Sequence, residues 1–225
     1  NKNVQTYLIR MTQKQPEQTP IIVKTGSTSA APPRKTLPFT DVPETAWYYE
    51  SVESAWENGL INGVTAERFM PEQTLTVAQA IKLAAALHQL RTEGSVTLRS
   101  GSTPWYGAYV RYAVEHEIIE ASYLDYSEAQ MNAAASRAEF AHIFFGAMRH
   151  EGYPEINRIA DGAIPDLSVG ASYADEIYTL YRAGILTGSD VQGTFRPDSN
   201  ISRAEAAAIL ARMYTPELRK TFALK

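Results

Sequence analysis

The sequence predicts an all-α fold of three tandem helix-loop-helix units, and three observations carry that expectation. A set of short motifs recurs three times between residues 39 and 215. Within each copy the apolar residues follow helical spacing rather than strict alternation. Each copy also places a Ser or Thr three residues before a Glu or Gln, just ahead of an apolar run, which marks a capped helix start.

The elements follow in chain order. Residues 1–38 differ in texture from the rest: two apolar stretches, residues 4–11 and 21–23, flank a polar one and can pair as a marginal β-hairpin. The run Ser27-Thr28-Ser29-Ala30-Ala31-Pro32-Pro33 has too little apolar surface to fold and reads as a linker. The first unit, residues 39–92, runs Phe39-Thr40-Asp41-Val42, Trp47-Tyr48-Tyr49, an amphipathic stretch, Gly59-Leu60-Ile61-Asn62-Gly63, Phe69-Met70-Pro71 and Thr76-Val77-Ala78-Gln79. The third, residues 158–215, is nearly its twin, with Ile164-Pro165-Asp166-Leu167, Ser172-Tyr173, Gly184-Ile185-Leu186-Thr187-Gly188, Phe195-Arg196-Pro197 and Ser202-Arg203-Ala204-Glu205. The second, residues 93–157, keeps Trp105-Tyr106, Ile118-Ile119 and Ser136-Arg137-Ala138-Glu139 but has lost the leading Asp and the Phe-x-Pro. Residues 216–225 form a tail.

Trp47, Trp105 and Ser172 each stand 12 residues before Gly59, Glu117 and Gly184, which fits one helix of about three turns. Its apolar stripe repeats as Val52, Ala55, Trp56 and Leu60, then Val110, Ala113, Val114 and Ile118, then Ile177, Leu180, Tyr181 and Ile185. Gly59 and Gly184 suit a left-handed C-terminal cap, and Glu117 at that place predicts a different helix end. The second helices start at Thr76, Ser136 and Ser202 and run to about Leu87, Met148 and Met213.

Composition mainly excludes. With 44% hydrophobic and 20% charged residues the chain is globular. A net charge of −4 gives no general attraction to nucleic acid or anionic lipid, so any anion site must be local. Zero cysteine removes thiolate nucleophiles, thiolate metal sites and disulfides without fixing a compartment. His88, His116, His142 and His150 lack metal-ligand spacing and read as solvent-facing or capping residues. No run of about 18 apolar residues is long enough to span a membrane. The chain opens on Asn1 rather than Met, as a processed or trimmed product would.

The tetrads at Thr76, Ser136 and Ser202 are helix caps worth about 1 kcal/mol each. Arg137 and Arg203 differ, because a cation in the first turn opposes the helix dipole. A guanidinium beside free helix N–H groups makes a site for a carboxylate or phosphate; pairing with Asp166 or Glu139 is the alternative. Val77 replaces the Arg in the first unit. Trp47, Trp105 and Tyr173 precede first helices, where they can serve as core staples or as faces on which a sugar ring stacks. Asp41 and Asp166 suit turns in which a carboxylate accepts backbone N–H groups. Gly63 and Gly188 sit in tight turns or bring backbone near a ligand. An acid–base carboxylate pair would be needed for a glycosidase, and nothing selects one.

These motifs resemble S-layer homology domains, whose pattern runs F-x-D-V, W-Y, G-L-I-x-G, F-x-P and T-R-A-E. The resemblance implies a pseudo-threefold module around a central three-helix bundle, with grooves between repeats. It also implies an extracellular place on the bacterial cell wall or S-layer, no catalysis and no cofactor. The implied partner is an acidic secondary cell-wall polysaccharide carrying pyruvate ketals, with an S-layer or surface protein as a further one. Residue by residue it makes Arg137 and Arg203 anion contacts, Asp41 and Asp166 groove acids or turn anchors, Trp47, Trp105 and Tyr173 stacking faces, and Gly63 and Gly188 backbone donors. Because Val77 lacks the Arg and the middle copy is degenerate, at most two of three grooves should bind. The alternatives are an assembly module that no longer binds sugar, and an anchor for an enzyme preceding Asn1.

Overall fold

The computed structural model describes residues 36–101 and 103–224; the hairpin and linker expected before Thr36 lie outside them. Seven α-helices and two short 3₁₀ turns make up the regular structure among the described residues, with isolated β-bridges and no extended strand. Three helix pairs account for most of it. The first pair is α1 (Tyr49–Glu57) and α2 (Val77–Glu93); the middle pair is α3 (Gly107–Glu115) and α5 (Arg137–Ala147), with the short α4 (Glu128–Asn132) between them; the last pair is α6 (Ala174–Arg182) and α7 (Arg203–Tyr214).

The caps explain the starts of the second helices. Thr76 Oγ1 accepts from Gln79 N at 3.3 Å while Gln79 Oε1 accepts from Thr76 N at 3.0 Å, and Ser202 with Glu205 repeats the reciprocal pair. At Ser136 only half of the expected box forms. Ser136 Oγ accepts from Glu139 N, but the Glu139 carboxylate turns away to the Tyr123 hydroxyl instead. A further reciprocal box, Ser127 with Gln130, starts α4.

The first helices all end in one way, and here the sequence expectation fails. Gly59 and Gly184 adopt left-handed backbone, with φ of 69° and 70°, and Glu117 does the same at 55°. In each, the following N–H reaches back five residues: Leu60 to Ala55 O, Ile118 to Ala113 O and Ile185 to Leu180 O. The middle helix therefore keeps the shared ending and accepts the strain of a side chain in that region.

What joins the pairs is a closed cycle of backbone hydrogen bonds just ahead of the second helices. Leu75 N donates to Ile201 O at 3.1 Å, Ile201 N to Ala135 O at 3.1 Å, and Ala135 N to Leu75 O at 2.9 Å. One step further, Val77 N donates to Ala133 O, Arg137 N to Ser199 O and Arg203 N to Gln73 O. Helix packing follows the same rotation, since α1 lies on α7, α3 on α2 and α6 on α5. Each first helix thus covers the second helix of the preceding pair.

The second helices are apolar nearly all round, as buried helices must be: α2 buries Val77, Ala78, Ala80, Ile81 and 83–87, and α7 buries 204 and 206–211. α2 packs on both α5 and α7, but α5 and α7 make no close backbone approach to each other. The helices thus meet at the hydrogen-bonded cycle, not as three mutually packed rods along their length.

Because left-handed backbone costs a side-chain-bearing residue about 1–2 kcal/mol and glycine's extra chain entropy returns part of it, Glu117→Gly should stabilise the protein by about 1 kcal/mol. A thermal melt in which the variant unfolds at or below the temperature of the parent would refute this.

Candidate functional site

Both helix-start arginines point into the neighbouring pair. Arg137 Nε donates to Phe195 O at 2.7 Å, its guanidinium lies 5.3 Å over the Phe195 ring, and Nη1 pairs with Glu205. Arg203 Nε donates to Phe69 O at 2.8 Å, Nη2 donates to Asn62 O at 2.6 Å, and the Phe69 ring lies 4.6 Å away. Both are buried. Stability does use these cations, contrary to the dipole argument, because each one fastens the Phe-x-Pro turn of the next pair. Their environments differ in charge. Arg137 has the Glu205 carboxylate, a partner other than the two weighed from sequence, whereas no carboxylate lies within ion-pair distance of Arg203 among the described residues. Burial pushes the Arg203 guanidinium pKa down, with the Asp41 carboxylate acting weakly in the other direction.

The free N–H groups expected beside these arginines are not free. Along α7, Arg203 N donates to Gln73 O, Ala204 N to Pro71 O and Glu205 N to Ser202 Oγ; α5 repeats this with Ser199 O, Pro197 O and Ser136 Oγ. The donors that make a helix start attractive to anions are taken by the adjoining pair. Any anion contact there falls to side chains.

Asp41 and Asp166 are turn anchors. Asp41 accepts from Phe69 N and Met70 N at 2.8 and 2.9 Å, and Asp166 from Phe195 N and Arg196 N at 2.7 and 2.6 Å. Those bonds hold Met70 and Arg196 in left-handed backbone at φ of 58° and 60°. Burial opposes the Asp41 charge, yet the two N–H donors and nearby Arg68 together hold its carboxyl below the usual range.

Two clefts contain most of the remaining candidates, and each draws on all three pairs. The larger, about 560 Å³, is lined by Trp47, Arg137, Gly188, Arg196, Glu205 and Arg212 among others. The smaller, about 310 Å³, has Trp105, Arg203, Gly63 and Gln79 in the places of Trp47, Arg137, Gly188 and Glu205, and adds Lys82 where the larger has Ala208. Trp47 is 65% exposed and Trp105 half-buried. Lys82 Nζ stands 5.9 Å from the Trp105 ring and 5.7 Å from that of Tyr109. Gly63 and Gly188 are close-packed turns: an added Cβ would lie 2.4 Å from Thr65 O in one and 2.5 Å from Gly193 in the other. Cations therefore outnumber acids in both clefts, and the smaller one has no acid.

Residues 38–81 and 165–207 match the S-layer homology domain family. These two segments are S-layer homology domains. Such domains are cell-surface anchoring modules, which places the chain outside the cell. The chain is 31% identical over 126 residues to a surface-layer 125 kDa protein of Lysinibacillus sphaericus, covering 54% of this chain and 11% of that protein. It is 27% identical over 177 residues to an amylopullulanase of Thermoanaerobacterium thermosulfurigenes, covering 76% of this chain and 9% of the relative. An exoglucanase, XynX, of Acetivibrio thermocellus is 25% identical over 182 residues, covering 79% and 16%. The chain thus spans between 9 and 16% of these relatives' lengths. No helix among the described residues is long and apolar enough to cross a membrane.

Between the two S-layer homology domains, the middle pair holds something else at the third equivalent place. His142 occupies on α5 the position that Lys82 has on α2, and it is buried rather than solvent-facing. Its Nδ1 lies 2.8 Å from Glu176 and its Nε2 3.0 Å from Glu120, while Tyr173 stacks on the ring at 4.1 Å. Tyr173, one residue later than the Trp register, reaches this spot through a left-handed backbone with φ of 61°. A 3₁₀ turn, Ala121–Asp125, replaces the Phe-x-Pro loop and buries Tyr123. With Glu139 also present, this place is acidic. Val77 bonds to the middle pair through its N–H, so the chain lacks the Arg at the one junction whose neighbour lacks the Phe-x-Pro carbonyl.

Sequence reasoning misses Lys82 and Arg212 and places His142 at the surface, although each is a charged or titratable residue inside an Ala-, Ile- or Phe-rich helical run. That was the available signal.

Both ring nitrogens of His142 face carboxylate oxygens, which only a doubly protonated ring can serve as donor. Burial opposes that charge, but the bonds to Glu176 and Glu120 outweigh it and raise the pKa. A raised folded-state pKa adds stability that is complete below the unfolded value and is lost as pH climbs through the folded one. Stability should therefore fall from neutral toward mildly alkaline pH, and His142→Gln should flatten that slope in denaturant titrations across the range. An equal slope in both proteins would contradict the assignment.

Proposed function

We propose that this chain is a non-catalytic wall-anchoring module that binds an acidic secondary cell-wall polysaccharide in its two basic clefts, through the carboxylate of a pyruvylated amino sugar. The observation that carries this reading is the pairing, in each cleft, of an accessible Trp face with buried and half-buried cations that exceed the acids. A sugar ring offers apolar C–H faces to the indole, and its carboxylate offers a bidentate acceptor to a guanidinium. Recognition is local, in keeping with the net charge of −4. Residues 39–92, 93–157 and 158–215 are three copies of the domain, the middle one turned from binding to support. Trp47, Trp105, Arg203 and Lys82 contact the ligand, Arg137 closes its cleft, Gly63 and Gly188 shape the loops, and Asp41 and Asp166 position them. Tyr173 is withdrawn from binding by its stack on His142. The module holds a larger surface protein, either an S-layer subunit or a secreted enzyme, as the lengths of the relatives suggest.

Isothermal calorimetry with a pyruvylated wall-glycan fragment should show binding that Trp47→Ala weakens about tenfold without lowering the melting temperature, since that ring is largely exposed. Arg203→Gln should weaken binding at the smaller cleft by about 2 kcal/mol, about thirtyfold. Equal affinity for the depyruvylated fragment would overturn the anion recognition.

A further inference from the structure

The larger cleft does not end at Trp47 and Arg137. Residues Thr187, Gly188, Ser189 and Arg212 line both it and an adjoining hollow of about 540 Å³, whose far wall is the C-terminal tail at Lys220, Phe222 and Leu224. The tail is held there by Lys220 N donating to Gly184 O, by Phe222 N donating to Asn157 Oδ1 and by Asn157 Nδ2 donating to Lys220 O.

Arg212 stands where the two hollows meet. Its Nη1 donates to Ile185 O at 2.9 Å, and no carboxylate lies within ion-pair distance of it among the described residues. A half-buried guanidinium without a counter-charge is costly and calls for an anion. The acids nearby are committed elsewhere: Glu205 to Arg137 and the Ser202 N–H, and Asp190 to the N–H groups of Gln192 and Thr194. The other charged groups lining the joined hollows, Arg196 and Lys220, are also cationic. The equivalent helix positions are Ala86 on α2 and Gly146 on α5, so this cation belongs to the last pair alone.

We propose that Arg212, rather than the neutralised Arg137, is the anion contact of the larger cleft, and that the joined hollow admits a second sugar beyond the acidic one. Desolvation alone shifts the Arg212 pKa, downward, with no opposing charge to offset it. The inference takes its ligand, a carboxylate-bearing sugar, from the wall-anchoring reading above. A half-buried cation kept without a counter-charge is a stability loss that function explains.

The test is calorimetry on the full chain with a pyruvylated amino-sugar monosaccharide, for the parent, Arg212→Gln, Arg137→Gln and Arg203→Gln. The parent should bind at two sites, and Arg212→Gln should lose one by about tenfold or more while keeping the Arg203 site. Its melting temperature should hold or rise, whereas a purely structural Arg212 would give a fall. Two intact sites in Arg212→Gln, or loss of the larger-cleft site in Arg137→Gln with Arg212 present, would overturn the assignment. If the parent binds no sugar, the wall-glycan reading fails by itself. Arg212 is then read from its Nε–H resonance during titration with inorganic phosphate: a saturable shift supports the anion site and an unmoved signal refutes it.

Discussion

The structure depends on the cycle of hydrogen bonds through Leu75, Ala135 and Ile201. Each link uses the backbone of one helix pair to satisfy that of another, so no pair has a complete helix start alone. Buried N–H groups must find partners, and here the first donors of α5 and α7 find them in the turns of the following pair. The arginines strengthen the same junctions from the side-chain level, through Phe195 O and Phe69 O. Cap, cycle and arginine are thus one joint, and the clefts are the spaces it leaves beside the second helices.

Much of the architecture was legible from local rules. Helix starts were marked by Thr76, Ser136 and Ser202, because capping depends only on residues three apart. Helix periodicity gave the buried stripes of α1, α3 and α6. What was not legible required knowledge of who neighbours whom. Glu117 looked like a departure because a sequence shows the residue and not the demand for a left-handed ending imposed by Ile118 bonding to Ala113. The helix-start donors look available in the sequence because their acceptors lie about 60 residues away, or across the closure from last pair to first. The site was legible in part. Arg203, Trp47 and Trp105 come to the clefts, but the division of charge between them turns on Glu205 facing Arg137 while Gln79 occupies the matching place in the other cleft.

The middle pair shows how one substitution carries others with it. Loss of the Phe-x-Pro turn removes the carbonyl an arginine would bind, and Val77 stands where that arginine would be. His142 and its two glutamates then link the middle and last pairs with charges drawn from the chain itself. An internal carboxylate near Tyr173 occupies the kind of environment that an external one would need. Degeneracy here is a coherent rebuilding of one junction, with Tyr123 and Met131 supplying buried surface in place of the missing loop.

The rotation of the pairs also sets an order in time. The larger cleft needs Trp47, from near the start of the fold, beside residues of α7, and the smaller needs Arg203 beside the loop that follows α1. A growing chain that stops short of α7 has neither cleft, however well its earlier helices have formed. Both clefts therefore arise in a single late step, when the last helix closes the circle. The order of the sequence alone makes the two clefts the last feature of the fold to be completed.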